Sequence, residues 1–419
     1  MRLLILTLLI VISIFTFSDE DYLVDTTSGK SLGYKKGGVI VWEDVPYAIP
    51  PIGNLRWKAP RPVVSSQKIL PKENNFCIQR PSNLGGAEGE GKIVGSEDCL
   101  YLDIFAPKKS LNNNLPVMFW IHGGGNTSGL KDLYDFSKMV QKHNVIVVRI
   151  NYRLGPFGWF THPSIQNYQD GDDKTSNFGT LDIIMALKWV KNNINNFGGD
   201  SSNVTIFGES AGGHNVLSLL VSKKAKGLFH KAISMSGYTT SISKEDAYYP
   251  KKDSSTSKYS SFAVLSKLKQ QFDLNNYTGQ SEVQKEREML LSLSAEDFFK
   301  IYSERESYDE IPLLTDDGIV IPEVGLKDAL SLRQHVNLVP TIAGSNRDEV
   351  KLWLATARYF VDLDYSVIGS VLQIPKVVLT NEDSFEAFNY YRSSAWKVRG
   401  VDEPLTSLSI AGNDKLYSY

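Results

Sequence analysis

The stretch Val204-Thr205-Ile206-Phe207-Gly208-Glu209-Ser210-Ala211-Gly212 decides the fold. Val204–Phe207 is short, β-branched and aromatic, which reads as a strand buried on both faces. Ala211–Leu220 reads as a helix. Gly-x-Ser-x-Gly between a strand and a helix is a nucleophile elbow. The reason is steric: Ser210 must sit on a strained tight turn, and Gly208 and Gly212 leave room for neighbouring backbone. The turn lifts the hydroxyl above the sheet edge, where the first amides of the helix favour negative charge.

Working outward, Val117–Ile121, Val145–Ile150, Ala232–Met235 and Pro340–Ala343 are similar runs and read as further strands. Leu181–Phe197 sets Ile183, Ile184, Ala186, Leu187, Val190 and Ile194 at a helical period. Strand–helix alternation argues for an α/β fold with a mostly parallel sheet and crossover helices. Tyr238–Phe262 is polar and without period, a surface excursion, followed by helical material through about Tyr302. No repeat or internal boundary stands out, so residues 19–419 read as one domain.

Ile121-His122-Gly123-Gly124-Gly125 follows the strand Val117–Ile121. Acyl transfer needs donors for a carbonyl oxygen that becomes an anion, and backbone amides unobstructed by side chains supply them. Gly124, Gly125 and the amide of Ala211 are the candidate oxyanion hole. His122 reads as a prop for this loop. A second candidate is the acidic pair Asp348-Glu349, which follows the strand Pro340–Ala343; either carboxylate is able to orient an imidazole.

Composition excludes several alternatives. With 419 residues, 42% apolar and 22% charged, the chain is no disordered polymer. Its 45 Lys+Arg against 47 Asp+Glu leave no electrostatic footprint for nucleic acid. Two cysteines and six scattered histidines cannot build a Cys-rich metal site, and no metal or cofactor is expected. Met1–Ser18 has Arg2, an apolar run and then Asp19-Glu20-Asp21, the pattern of a secretory signal peptide. The run is shorter than the ~20 residues that span a bilayer. The chain is therefore expected to be secreted or periplasmic, without a stable membrane span after cleavage near Ser18. In an exported chain Cys77 and Cys99 are expected to pair, a bridge worth roughly 3 kcal/mol.

The sequence resembles the type B carboxylesterases, a family of the α/β-hydrolase fold that also contains cholinesterases and the non-catalytic neuroligins. The resemblance rests on Phe197–Gly212, on Glu97-Asp98-Cys99-Leu100-Tyr101-Leu102-Asp103, on Val45–Trp57 and on Asn151-Tyr152-Arg153-Leu154-Gly155. It runs from about residue 25 to the end. It implies a disulfide between Cys77 and Cys99, and it assigns the acid to Glu349 within Gly344-Ser345-Asn346-Arg347-Asp348-Glu349. Val350 departs from the family, which usually has Gly there. The implied substrate is a small-molecule carboxylic ester.

The histidines are His122, His143, His162, His214, His230 and His335, and none follows Glu349, where this fold carries its base. His214, one helical turn after Ser210, is expected to point into or along the core. Asp414–Tyr419 alternates like a strand entering the sheet, and the resemblance leads one to expect a further strand and helix carrying the histidine beyond it. Two readings follow: a secreted serine carboxylesterase incomplete at its C-terminus, or a neuroligin-like binding protein with catalysis lost. Ile78–Asp98 holds no aromatic residue, so a choline cage is unsupported. Asn126 after the glycines points to a more polar acyl pocket. Sequons occur at Asn126, Asn203 and Asn276, the first two too near the site for modification.

Overall fold

Among the described residues, nine strands hydrogen-bond into one sheet: β1 (Tyr34–Lys36), β2 (Val39–Pro46), β3 (Tyr101–Pro107), β4 (Leu115–Ile121), β5 (Ile146–Ile150), β6 (Gly199–Glu209), β7 (Lys231–Met235), β8 (Thr341–Gly344) and β9 (Leu416–Ser418). The computed structural model describes residues 22–82, 85–89, 93–108, 113–249, 260–272, 281–303, 314–355, 357–364 and 376–419. The order across the sheet is β9-β8-β7-β6-β4-β5-β3-β2-β1. From β9 to β5 every neighbouring pair is parallel, and β3, β2 and β1 complete the sheet antiparallel.

The apolar runs form strands because both sheet faces are covered. On one face, Leu187, Val190, Leu217 and Leu220 of two helices pack with Val117, Ile206 and Val148. On the other, Val140 of the helix Ser137–His143 joins Val41, Phe105, Trp120, Val147 and Phe207. Helices on both faces of a mostly parallel sheet are the α/β-hydrolase arrangement that the resemblance implies.

One topological detail positions the site. After β5 the chain crosses back and lays β6 on the opposite side of β4. The loops leaving the carboxyl ends of β4 and β6 therefore diverge, and such a switch point opens a crevice. Ile121 pairs with Gly208 at that end, so the triglycine loop and the elbow start side by side.

Signature residues are committed to buried charge pairs. Arg153 clasps Asp182 with Nε and Nη2 at 2.8 and 2.7 Å. Arg56 holds Glu97 through two bonds of 2.7 and 2.6 Å. Lys131, fully buried, meets Asp44, Asp103 and Asp132, each at 2.9 Å.

The expected helix over Leu181–Phe197 is Phe178–Asn193, continued by the tight turn Ile194–Phe197 and stopped by Gly198 at φ 83°. The described part of the surface excursion expected over Tyr238–Phe262 holds short elements. Ile242–Ser243 pairs with Thr315–Asp316, and Ser243 caps a helix over Lys244–Tyr248. That helix is too short to show a period in sequence. Residues 250–259 lie outside the described residues. The later helices Ser261–Gln271, Glu282–Ser292 and Ala295–Ser303 bury Leu265, Leu268, Met289 and Phe298 against Trp57 and Phe157. The strand expected at Asp414–Tyr419 is β9, parallel to β8. Among the described residues no helix is long and apolar enough to cross a membrane.

Candidate active site

Ser210 occupies φ 56°, ψ −119°, backbone that a non-glycine residue adopts at a cost of about 1–3 kcal/mol. Its amide donates to Met235 O at 2.8 Å, which ties the bend to the end of β7. Gly212 meets a steric demand. A Cβ there would overlap the Ile121 carbonyl oxygen and stand 2.9 Å from both the Ile121 carbonyl carbon and the His122 oxygen. The elbow helix Ala211–Val221 starts against the end of β4.

The triglycine loop folds onto the serine. A Cβ on Gly123 would lie 3.3 Å from Ser210 Cβ. Gly124 adopts φ 98°, and its carbonyl accepts from the amides of Thr127 and Ser128 at 3.0 and 2.9 Å. That carbonyl is spent inside the loop. Among the described residues, the amides of Gly124, Gly125 and Ala211 donate to no other group. An anion placed over Ser210 would meet a helix N-terminus and a loop with unspent donors.

His122 is buried, its Nδ1 donating to Gly123 O at 2.8 Å and its ring stacked on Tyr152 at 4.4 Å. Burial lowers its pKa to about 4, so it props the loop as a neutral ring. His214 behaves likewise. Its Nε2 donates to Thr240 O at 2.8 Å, its ring stacks on Tyr238, and burial lowers its pKa to about 4. His162 caps a short helix through Ser164 and packs on Phe262. His143, His230 and His335 precede β5, β7 and β8, at the opposite end of the sheet from Ser210.

The acidic pair separates cleanly. Asp348 turns outward to Arg347, Lys351 and Asn389, whose Nδ2 donates to it at 2.7 Å. Glu349 turns inward, accepting from Asn346 N at 2.7 Å and from Ser236 Oγ at 3.0 Å. Sequence reasoning left the two open except by resemblance and missed Ser236 altogether. Ser236 follows β7, between the serine strand β6 and the acid strand β8. The 3.0 Å contact with Ser236 brings the Glu349 carboxylate to the end of β7, the strand next to the serine strand.

Glu209 also faces this space. Desolvation and the charge of Glu349 both raise its pKa. Tyr134 lies beside the Gly123 amide and Glu209, and its phenol is pushed up to about 12, first by burial.

Asn126 does not line an acyl pocket as expected. It is fully buried, its Oδ1 accepting from Asn215 Nδ2 at 2.8 Å and from the Tyr152 hydroxyl at 3.3 Å. Its polarity serves the interior because Asn215 on the elbow helix needs an acceptor. Asn203 accepts from Lys231 at 2.5 Å, and Asn276 lies outside the described residues. Cys77 and Cys99 form a disulfide with Cα atoms 4.9 Å apart. Among the described residues no cluster of His, Cys, Asp and Glu could hold a metal ion.

The profile of the carboxylesterase family matches residues 20–385. The chain belongs to that family. It is 47% identical over 229 residues to the para-nitrobenzyl esterase of Bacillus subtilis (strain 168), covering 54% of this chain and 45% of that protein. To liver carboxylesterase 1F of Rattus norvegicus it is 35% identical over 365 residues, covering 81% and 61%. Among solved structures of this family, a PNB esterase superposes with a TM-score of 0.69 at 30% identity, covering 95% of this chain and 78% of that one. The Geobacillus stearothermophilus carboxylesterase EST55 at pH 6.2 gives 0.70 at 27% identity, covering 95% and 79%. The chain thus spans about half to three fifths of the length of these curated carboxylesterase-family relatives.

Proposed function

We propose that this chain carries the acyl-transfer site of an exported serine carboxylic-ester hydrolase. The observation that supports it most is the triglycine loop seated on a strained serine, with three neighbouring amides unspent. Ser210 Oγ attacks the carbonyl carbon of a small carboxylic ester, and its proton passes to an imidazole oriented by Glu349. The amides of Gly124, Gly125 and Ala211 hold the oxyanion. Collapse expels the alcohol, which takes the proton from the imidazolium and leaves an acyl-Ser210. Water, deprotonated by the same imidazole, then releases the acid.

The base is an imidazole other than the six histidines of this sequence, because each of those is committed elsewhere or lies at the far sheet end. Alone, residues 1–419 then retain at most ~10³–10⁴ of rate over water. We further propose that residues 1–18 are an export signal removed before residues 19–419 act as one unit in a secreted or periplasmic setting. The disulfide supports an oxidising compartment.

The commitment of the His122 and His214 rings to Gly123 O and Thr240 O also favours a second reading, a binding protein on the same fold. One experiment separates them. Labelling of Ser210 by a fluorophosphonate is measured with and without added free imidazole, in the chain and in Ser210→Ala. The enzyme reading expects imidazole-dependent labelling that Ser210→Ala abolishes. Failure to label at any imidazole concentration favours the binding protein.

A further inference from the structure

Gln79 stands two residues after Cys77 and is fully buried. A glutamine side chain offers one two-lone-pair acceptor and two donors, and here all four capacities are used. Its oxygen accepts from the amides of Gly129 and Ala87 at 2.9 and 3.1 Å. Its nitrogen donates to the carbonyls of Gly129 and Cys77, each at 2.9 Å. One side chain therefore grips both polar groups of the Gly129 backbone and ties them to the disulfide.

Gly129 is the closing residue of the triglycine loop. It adopts φ 120°, and a Cβ there would stand 2.6 Å from His122 Cε1 and 2.7 Å from Gly123 O. The preceding residue, Ser128, donates its amide to Gly124 O. Two residues on, the Lys131 amide is held by Asn151 Oδ1 at 2.7 Å. Contacts run without a break from Cys77 through Gln79 and Gly129 to His122 and Gly123, and Gly123 lies on Ser210.

We infer that Gln79 is a positioning residue that sets the anion-binding geometry of Gly124 and Gly125, with the Cys77–Cys99 bridge as its anchor. This rests on the acyl-transfer reading above. Gln79 touches no reacting atom and acts through Gly129. Opening the disulfide should loosen the loop while leaving β6 and the elbow helix ordered, which makes the site sensitive to thiol reductants.

The test combines amide hydrogen exchange with imidazole-promoted phosphonate labelling, on the full chain and on Gln79→Leu. Exchange in residues 122–129 is expected to accelerate at least about tenfold, with residues 216–221 unchanged, and Ser210 labelling to slow by about tenfold or more. Gln79→Glu covers the case in which Gln79→Leu does not fold. Its protonated form keeps an O–H donor for Gly129 O or Cys77 O, so the loop should be tight at low pH and loosen as the carboxyl ionises. A role in packing alone gives no such pH profile. Wild-type labelling with Gln79→Leu labelling equally fast overturns the inference and leaves the acyl-transfer reading standing. If the wild type never labels, that reading fails and exchange alone decides. Local acceleration then supports the positioning role, and uniform or absent acceleration overturns it.

Discussion

Replacing Gly212 by alanine tests the close approach on which the site is built. The added Cβ overlaps the Ile121 carbonyl oxygen and stands 2.9 Å from its carbon and from His122 O. All three atoms are main chain, so no rotamer change relieves the contact. The elbow helix must withdraw from β4, where Ile121 pairs with Gly208 and Trp120 with Phe207. Overpacking of this kind costs typically 1–3 kcal/mol, and each strand-end hydrogen bond lost adds about 1 kcal/mol. A destabilisation of about 3 kcal/mol is expected. Urea unfolding followed by tryptophan fluorescence measures it, with Gly227→Ala as comparison. Gly227 has φ 72° but nothing within 4 Å of an added Cβ, so its cost is the backbone strain alone, about 1–2 kcal/mol. If Gly212→Ala proves no more costly than Gly227→Ala, the contact is not what holds the elbow.

Four further outcomes are expected. Reducing the Cys77–Cys99 bridge, with its sequence separation of 22, should cost about 3 kcal/mol in the same urea assay. His122 and His214 have folded pKa values of about 4, below the unfolded 6.5, so each stabilises fully above about pH 6.5 and loses this as pH falls toward 4, by up to about 3 kcal/mol. Unfolding midpoints between pH 7 and 5 should record that slope, and His214→Gln should flatten it; an unchanged slope counts against the assignment. Asp182→Leu strands the buried Arg153 and should destabilise by about 3–5 kcal/mol in urea, whereas a loss below about 1 kcal/mol would show the guanidinium re-solvated. In imidazole-promoted labelling, Glu349→Gln should slow Ser210 by about tenfold or more while Asp348→Asn leaves it unchanged; equal effects would return the choice between them to the open state.

What was legible in sequence follows range. The elbow, the triglycine loop and the apolar strands are constraints within a few residues, and Val117–Ile121 lies inside β4 as Ala211–Leu220 lies inside its helix. Asp348 and Glu349 looked equivalent because their difference lies in partners far along the chain: Asn389 for one, Ser236 for the other. Gln79 was invisible for the same reason, since its role depends on Gly129, 50 residues away. Asn126 misled because adjacency to the glycines says nothing about which way its side chain turns. The short helix Lys244–Tyr248 fell below the length at which a period can be read.

The pairing of β4 with β6 has a consequence for assembly. Val117 to Ile121 lie opposite Val204 to Gly208 with no slip, and these buried residues admit one alignment. The sheet acts as a ruler: once its hydrophobic teeth engage, hydroxyl and amides arrive at their marks together, and no later adjustment is required to bring them into line.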